Sequence, residues 1–319
     1  MWRVSWSVLL ALVMTVTGGL LVHWWYASHP SEWSDFDQIW LGAHALVRGH
    51  NPYIEVPKAF PWPLLYPLPA LLLGLPFVMV PLELARVGFA MVTAGLCTWA
   101  VLRRRAHAWP LLLTGPFAYA LIRGQWSPLF VAAMLVPALS GIVVTMKPST
   151  GLAVLAYRPS RALVIGAAGV GLLSLLVMPS WPLYWLRELP GNRHIVPLVT
   201  LPAGVLLLLA FLRWRRPEGR MLGALAIIPQ TPAMYELVPT LLIPQTLRAS
   251  LVLALLWNVV YLWAPSPVPW TPATVPDPFI PGRWTIMLVC GYLPALLLLF
   301  AQGRRPPTTQ ALNAREDPE

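Results

Sequence analysis

Most arginines of this chain fall in short clusters, at 103–105, 158 with 161, 213–220, 248 and 304–305, and apolar runs separate each cluster from the next. That alternation constrains the fold more than any motif does. A run of about 20 apolar residues crosses a bilayer core as a helix, and basic clusters between such runs mark loops kept on the cytoplasmic side. With 57% hydrophobic and 11% charged residues and a mean hydropathy of +0.65, the chain is too apolar for an aqueous domain of its size. The net charge of +10 therefore reports topology, and no nucleic-acid partner is expected. The expected fold is all-α, a polytopic transmembrane helix bundle of about 10–12 membrane segments in the cell membrane. One membrane domain is expected over 1–302, with 303–319 a disordered cytoplasmic tail. Cys97 and Cys290 each lie inside an apolar run and read as packing residues.

Residues 4–22 have the length of a signal peptide or of a first span. Trp24, Trp25 and Tyr26 then read as an interfacial belt, and no small-residue cleavage site is evident, so a retained helix is expected. Arg3 sets the N-terminus inside and sends 27–82 to the outer face. The proline-rich 60–81 stretch is long enough to cross, but crossing would turn Arg103–Arg105 outward. It is expected to lie along the outer surface or to dip in partly, as its prolines permit. Spans then fall at 84–102, 108–122, 161–179, 195–212, 249–264 and 284–302, with shorter, broken ones in 126–157 and 221–246. Both termini are cytoplasmic in this scheme. The outer loop 264–283 holds seven prolines and is expected to form a semi-rigid cover.

Ser31 to Tyr53 is the one long polar and aromatic segment, within an outer loop (31–82) expected to carry juxtamembrane helices and the site. Ser34 and Asp37 have capping-box spacing, and Asp35 sits in the first turn, where the helix dipole favours a carboxylate. Loss of the cap would cost about 1 kcal/mol. The helix is expected to end near Gly49. Phe36, Trp40, Ala43 and Val47 form an apolar stripe with Asp37, His44 and Arg48 opposite, the pattern of a helix at an interface. Lys147 stands between two apolar runs, at a depth where a cation is costly and is a functional candidate by default. Gln125 lies at an outer turn beside Arg123.

Several of these pieces, in order, resemble one family. After the first span the chain has Asp35, Phe36, Trp40, Gly42, Ala43, Ala45, Leu46, Gly49, Pro52 and Tyr53 in a D-F-x-x-x-W-x-[AG]-A-x-A-L-x-x-G-x-x-P-Y pattern. Tyr66-Pro67-Leu68-Pro69, Gly124-Gln125 and Lys147-Pro148 follow. The pattern is similar to that of glycosyltransferase family 87, polytopic GT-C enzymes that use polyprenyl-phosphate mannose. Where relatives tend to carry a histidine before Y-x-L, this chain has Met234, Tyr235, Glu236 and Leu237.

The resemblance implies an inverting hexosyltransferase, mannosyltransferase-like. A polyprenyl-phosphate sugar would be the donor, a lipid-linked or glycan molecule the acceptor, and the site would face outward among membrane lipids. It implies Asp35 as general base, a role a carboxylate at the outer interface suits. Lys147, Arg123 and Arg48 are the candidates for the donor phosphate, where negative charge grows. Gln125, Tyr66, Trp40, Tyr53 and Glu236 are the candidates for other substrate contacts. Asp35 and Asp37 also spell D-x-D, a metal-holding pattern in some glycosyltransferases, but no third ligand is evident and no cofactor is expected. The competing readings are a lipid or glycolipid transporter or flippase, for which the broken spans speak, and a non-catalytic scaffold of the same fold.

Overall fold

The computed structural model describes residues 6–189, 196–200, 202–231, 233–263 and 283–302. Most of the 264–283 loop, the 303–319 tail, Arg3, Arg193 and Asp277 lie outside the described residues. The elements are helical throughout. Two of them are long and apolar enough to cross a membrane, α1 (Trp6–Ser28) and α5 (Leu82–Arg104). At 1.5 Å per residue each is about 35 Å long, against a hydrocarbon core of about 30 Å. They pack together through small residues. A Cβ on Gly19 would stand 2.7 Å from Met91 Cγ, and one on Gly95 2.2 Å from Thr15 Oγ1, the close approach that replaces hydrophobic driving force between membrane helices.

Between them lie α2 (Asp35–Val47), α3 (Pro52–Ala59) and the short α4 (Leu68–Gly74), which runs into a 3-10 turn at Leu75–Phe77. The 60–81 stretch makes no straight span, as expected. Within it Leu64, Leu68, Ala70 and Leu71 are buried, Gly42 of α2 leaving room for Leu71, while Met79, Val80 and Pro81 are exposed.

Beyond α5, proline cuts the apolar runs into pieces. The expected 108–122 span is a 3-10 segment, Ala106–Leu113, with Pro110 inside it, followed by α6 (Gly115–Ile122). The 126–157 region becomes α7 (Ser127–Leu135), α8 (Pro137–Val143) and α9 (Pro148–Tyr157), each with proline in its first turn, where a missing N–H costs nothing. α10 (Arg161–Val177) and α11 (Trp181–Glu188) are bent by 101° at the break between them, and taken as one span they make a third crossing. The single turn α12 (Pro197–Thr200), a 3-10 segment at Pro202–Arg213, α13 (Pro217–Ile227) and a 3-10 segment at Met234–Leu242 follow. α14 (Leu247–Trp263), α15 (Arg283–Met287), a π turn and α16 (Leu293–Ala301) complete the described chain.

α1, α10 and α14 expose long aliphatic faces, such as Leu12, Val13 and Val16, Ile165, Leu172 and Leu176, and Leu251, Leu255 and Leu262. Contiguous apolar surface of this kind suits lipid rather than water. Arg103 and Arg104 are exposed, but Arg105 is buried. It pairs with the buried Glu218 of α13 and donates to Tyr157 Oη at 3.2 Å. Arg220 donates to the carbonyls of Ala156 and Tyr157, closing the C-terminus of α9. Arg105, the last residue of its basic cluster, is therefore part of an internal lock. Arg86 and Arg105 are 19 residues apart along α5 and its cap, roughly 28 Å at helical rise, so this lock and α2 sit at opposite poles.

Candidate active site

Ser34 starts α2: its Oγ accepts the Phe36 N–H at 3.2 Å, and Asp37 Oδ2 accepts the Ser34 N–H at 2.8 Å. The capping box read from the sequence is present, but Asp37 does more than cap. Arg86 reaches it from α5 as a fork, Nε to Oδ1 at 2.8 Å and Nη2 to Oδ2 at 2.6 Å, and lies 4.0 Å over the Tyr26 ring. Asp37 is fully buried. The expected polar outer face of α2 is therefore wrong over its first turn, because this ion pair buries the acid against α5 while Val47 and Arg48 are left in the open.

The fork fixes α2 against α5, and a second contact fixes it against the turn after α6. The Asp35 N–H donates to Arg123 O at 3.0 Å. Gly124 has φ +61°, and a Cβ there would lie 2.5 Å from Ser34 Oγ, so both conformation and space require glycine. The next residue, the buried Gln125, donates its Nε2–H to Asp35 Oδ2. Tyr66 Oη is 3.5 Å from the same oxygen. Burial, with Asp35 beside it, pushes the Tyr66 phenol well above its ordinary pKa, which keeps it a donor. Tyr66 is held in turn by Tyr53, whose Oη donates to Tyr66 O at 3.2 Å.

Asp35 opens onto a cavity of about 280 Å³. Arg123 and Lys147 line it as well, with Tyr119 and Tyr235 between them in parallel, centroids 6.0 Å apart. Each cation has a carboxylate neighbour: Arg123 Nη1 is 3.2 Å from Glu32 Oε2, and Lys147 Nζ is 2.8 Å from Glu236 Oε1. Glu236 is buried, and its carbonyl accepts from Tyr292 Oη at 3.2 Å. Trp62, Leu65 and Trp185 form a further part of the wall. Trp185 Nε1 donates to Leu65 O at 2.9 Å, and Leu65 N–H donates to Gln38 Oε1 at 3.2 Å.

Of the residues expected from the sequence, Asp35, Arg123, Lys147 and Tyr66 line the cavity; Gln125 stands behind Asp35, and Glu236 behind Lys147. Three do not belong to it. Arg48 caps the far end of α2, exposed and about 20 Å along the helix from Asp35. Trp40 points the other way, its Nε1 donating to the carbonyls of Phe77 and Val80. Tyr53 holds the Tyr66 backbone and does not reach the cavity. The two acids of D-F-D turn to different partners, Asp37 to Arg86 and Asp35 to Gln125, so they are not presented to one ion. Among the described residues no three His, Cys, Asp or Glu side chains are grouped as metal ligands.

Sequence reading missed Gln38, Trp62 and Trp185. Gln38 had a signal, since it is one turn from Asp35 on the same helix. Trp62 and Trp185 had none, for tryptophan is common along this chain, which has 17.

Fold and site together define a helical, membrane-type protein with a carboxylate, two cations and an aromatic wall around a cavity at one pole. Compared with known proteins, the chain matches no family model, no curated protein and no solved structure.

Proposed function

We propose that the chain is an integral-membrane glycosyltransferase of GT-C type that moves a hexose, mannose by preference, from a polyprenyl phosphate to an acceptor hydroxyl. The observation that carries this reading is Asp35, a cavity carboxylate oriented by Gln125 with Arg123 and Lys147 in the same cavity. In a single inverting displacement Asp35 takes the acceptor hydroxyl's proton as that oxygen attacks the anomeric carbon. The bond from that carbon to the phosphate oxygen breaks, and the polyprenyl phosphate leaves with the electron pair. Negative charge grows on the departing phosphate, where Lys147 and Arg123 stabilise it. No metal is required by this scheme.

The topology that accompanies it puts the α2 pole outside and the Arg105 pole in the cytoplasm, with the short proline-started helices completing a polytopic domain of about 10–12 segments. In a chain without its native cysteines, cysteines near Asp35 and Pro81 then react with an impermeant reagent from outside, and one at Arg104 does not. Labelling of the Arg104 site from outside would overturn that orientation.

The bent α10–α11 pair and the interrupted α7–α9 run favour a second reading, a lipid transporter. Purified protein in liposomes, given radiolabelled polyprenyl-phosphate mannose and an extracted lipid pool, separates the two. Label in a new, more polar product supports transfer, and label that only changes leaflet supports transport.

A further inference from the structure

The buried Arg105–Glu218 pair draws four chain segments together, because Arg105 also donates to Tyr157 Oη and Gln245 Nε2 lies 3.5 Å from Glu218 Oε1. Six exposed arginines ride on those segments: Arg103, Arg104, Arg158, Arg161, Arg215 and Arg248. None is more than four residues from a member of this lock, about 15 Å of chain. Segments 103–109, 156–161, 213–220 and 244–248 hold one acid, Glu218, which is paired inside with Arg105. The lock thereby gathers clusters that lie far apart in sequence into one basic face.

The depth of this face decides what it meets. Arg161 opens α10, and Val164 and Ile165 are exposed one turn further on; Arg248 lies in the first turn of α14, with Leu251 and Val252 exposed a turn further on. A turn rises about 5.4 Å, and the headgroup layer on each side of a bilayer is about 5–8 Å deep. These guanidinium groups therefore stand at headgroup level, just beyond the aliphatic faces that suit lipid. Trp109 and Trp214 are exposed beside them, as tryptophan is at a membrane interface, and Arg103 lies 5.3 Å over the Trp99 ring. Membrane orientation alone would be served as well by lysine. Yet every basic side chain in the four segments, His107 aside, is arginine, whose planar fork matches a phosphate with two parallel hydrogen bonds.

We propose that this arginine face binds the phosphodiester headgroups of anionic lipids, in the leaflet at the Arg105 pole, through its guanidinium forks. A soluble acidic protein is the poorer match, since Arg161 and Arg248 lead directly into helix faces that suit lipid. The inference needs the membrane setting and stands apart from the transferase reading.

Lipid titration into the full chain in maltoside micelles, read by native mass spectrometry, tests it, with dioleoyl-phosphatidylglycerol, dioleoyl-phosphatidylcholine and soluble poly-glutamate as probes. Wild type should bind the glycerol lipid at least about tenfold more tightly than the choline lipid. Arg161→Gln combined with Arg248→Gln should lower that affinity about 25-fold, at about fivefold for each arginine near an anionic surface, with the unfolding temperature in choline lipid unchanged. Arg161→Lys combined with Arg248→Lys keeps the charge and loses the forks, so it should still lose several-fold. Arg48→Gln, at an exposed position on the other pole, should bind as wild type does. Equal binding of the two lipids, wild-type affinity in the glutamine or the lysine pair, an equal loss in Arg48→Gln, or displacement of the glycerol lipid by poly-glutamate overturns the inference.

Discussion

Gln125 donates its side-chain amide to Oδ2 of Asp35, a residue 90 positions earlier in the chain. The contact exists because Gly124, in the left-handed region at φ +61°, lets the turn press onto the first residues of α2. Gln125 therefore acts through Asp35 and does not itself line the cavity. Gln125→Ala is expected to lower kcat by about 10- to 100-fold with the donor KM nearly unchanged, as for a lost orienting contact to a general base. Steady-state kinetics with a polyprenyl-phosphate hexose check it; a rise in KM at constant kcat would make Gln125 a binding residue instead.

The Asp37–Arg86 fork changes the expected cost of losing Asp37. A lost cap costs about 1 kcal/mol, whereas removing one partner of a buried ion pair costs about 3–5 kcal/mol. Asp37→Asn and Arg86→Met should each cost the larger amount, and the paired Asp37→Leu, Arg86→Met variant should recover much of it. Thermal unfolding in detergent measures this. A loss near 1 kcal/mol for Asp37→Asn would mean that the cap is all that matters.

Lys147 and Glu236 make the matching prediction for the opposite wall. Glu236→Gln keeps shape and removes the charge that competes with a phosphate for Lys147, so the donor KM should fall several-fold. Lys147→Ala should raise the donor KM and lower kcat together, since the contact exists in the ground state and strengthens as charge develops. Donor titrations of both variants decide: a donor KM that rises in Glu236→Gln would make Glu236 a support for Lys147 and not its competitor.

What the sequence disclosed follows from how few polar residues an apolar chain holds. Lys147 and Arg123 stood out because each is an isolated charge next to apolar runs, Asp35 because it opens the helix of the one long polar segment, and the α2 cap was legible because its signals lie within four residues, Ser34 to Asp37. Partners far apart in sequence were not legible. Nothing near Asp37 points to Arg86, 49 residues on, and nothing near Arg105 points to Glu218, 113 residues on. Hydropathy reports apolar runs but not their breaks. The expected 108–122 span was therefore right in its apolar character and wrong in its continuity, since Pro110 and Pro116 interrupt it. Trp40 misled because a conspicuous aromatic on a site helix fits equally well as the hydrogen-bonded anchor of the turn at Phe77 and Val80.

The role of Asp35 is tested most directly by sugar transfer in liposomes with Asp35→Asn, measured as radiolabel passing from polyprenyl-phosphate mannose into product. The substitution keeps the volume and an oxygen for Gln125 while removing the base, so the fold should be unaffected and transfer should fall by at least about 10²-fold, the lower range for a lost general base. Donor binding, read by the same label retained on protein, should stay within a few-fold of wild type. Transfer at the wild-type rate by a folded Asp35→Asn protein would contradict the account.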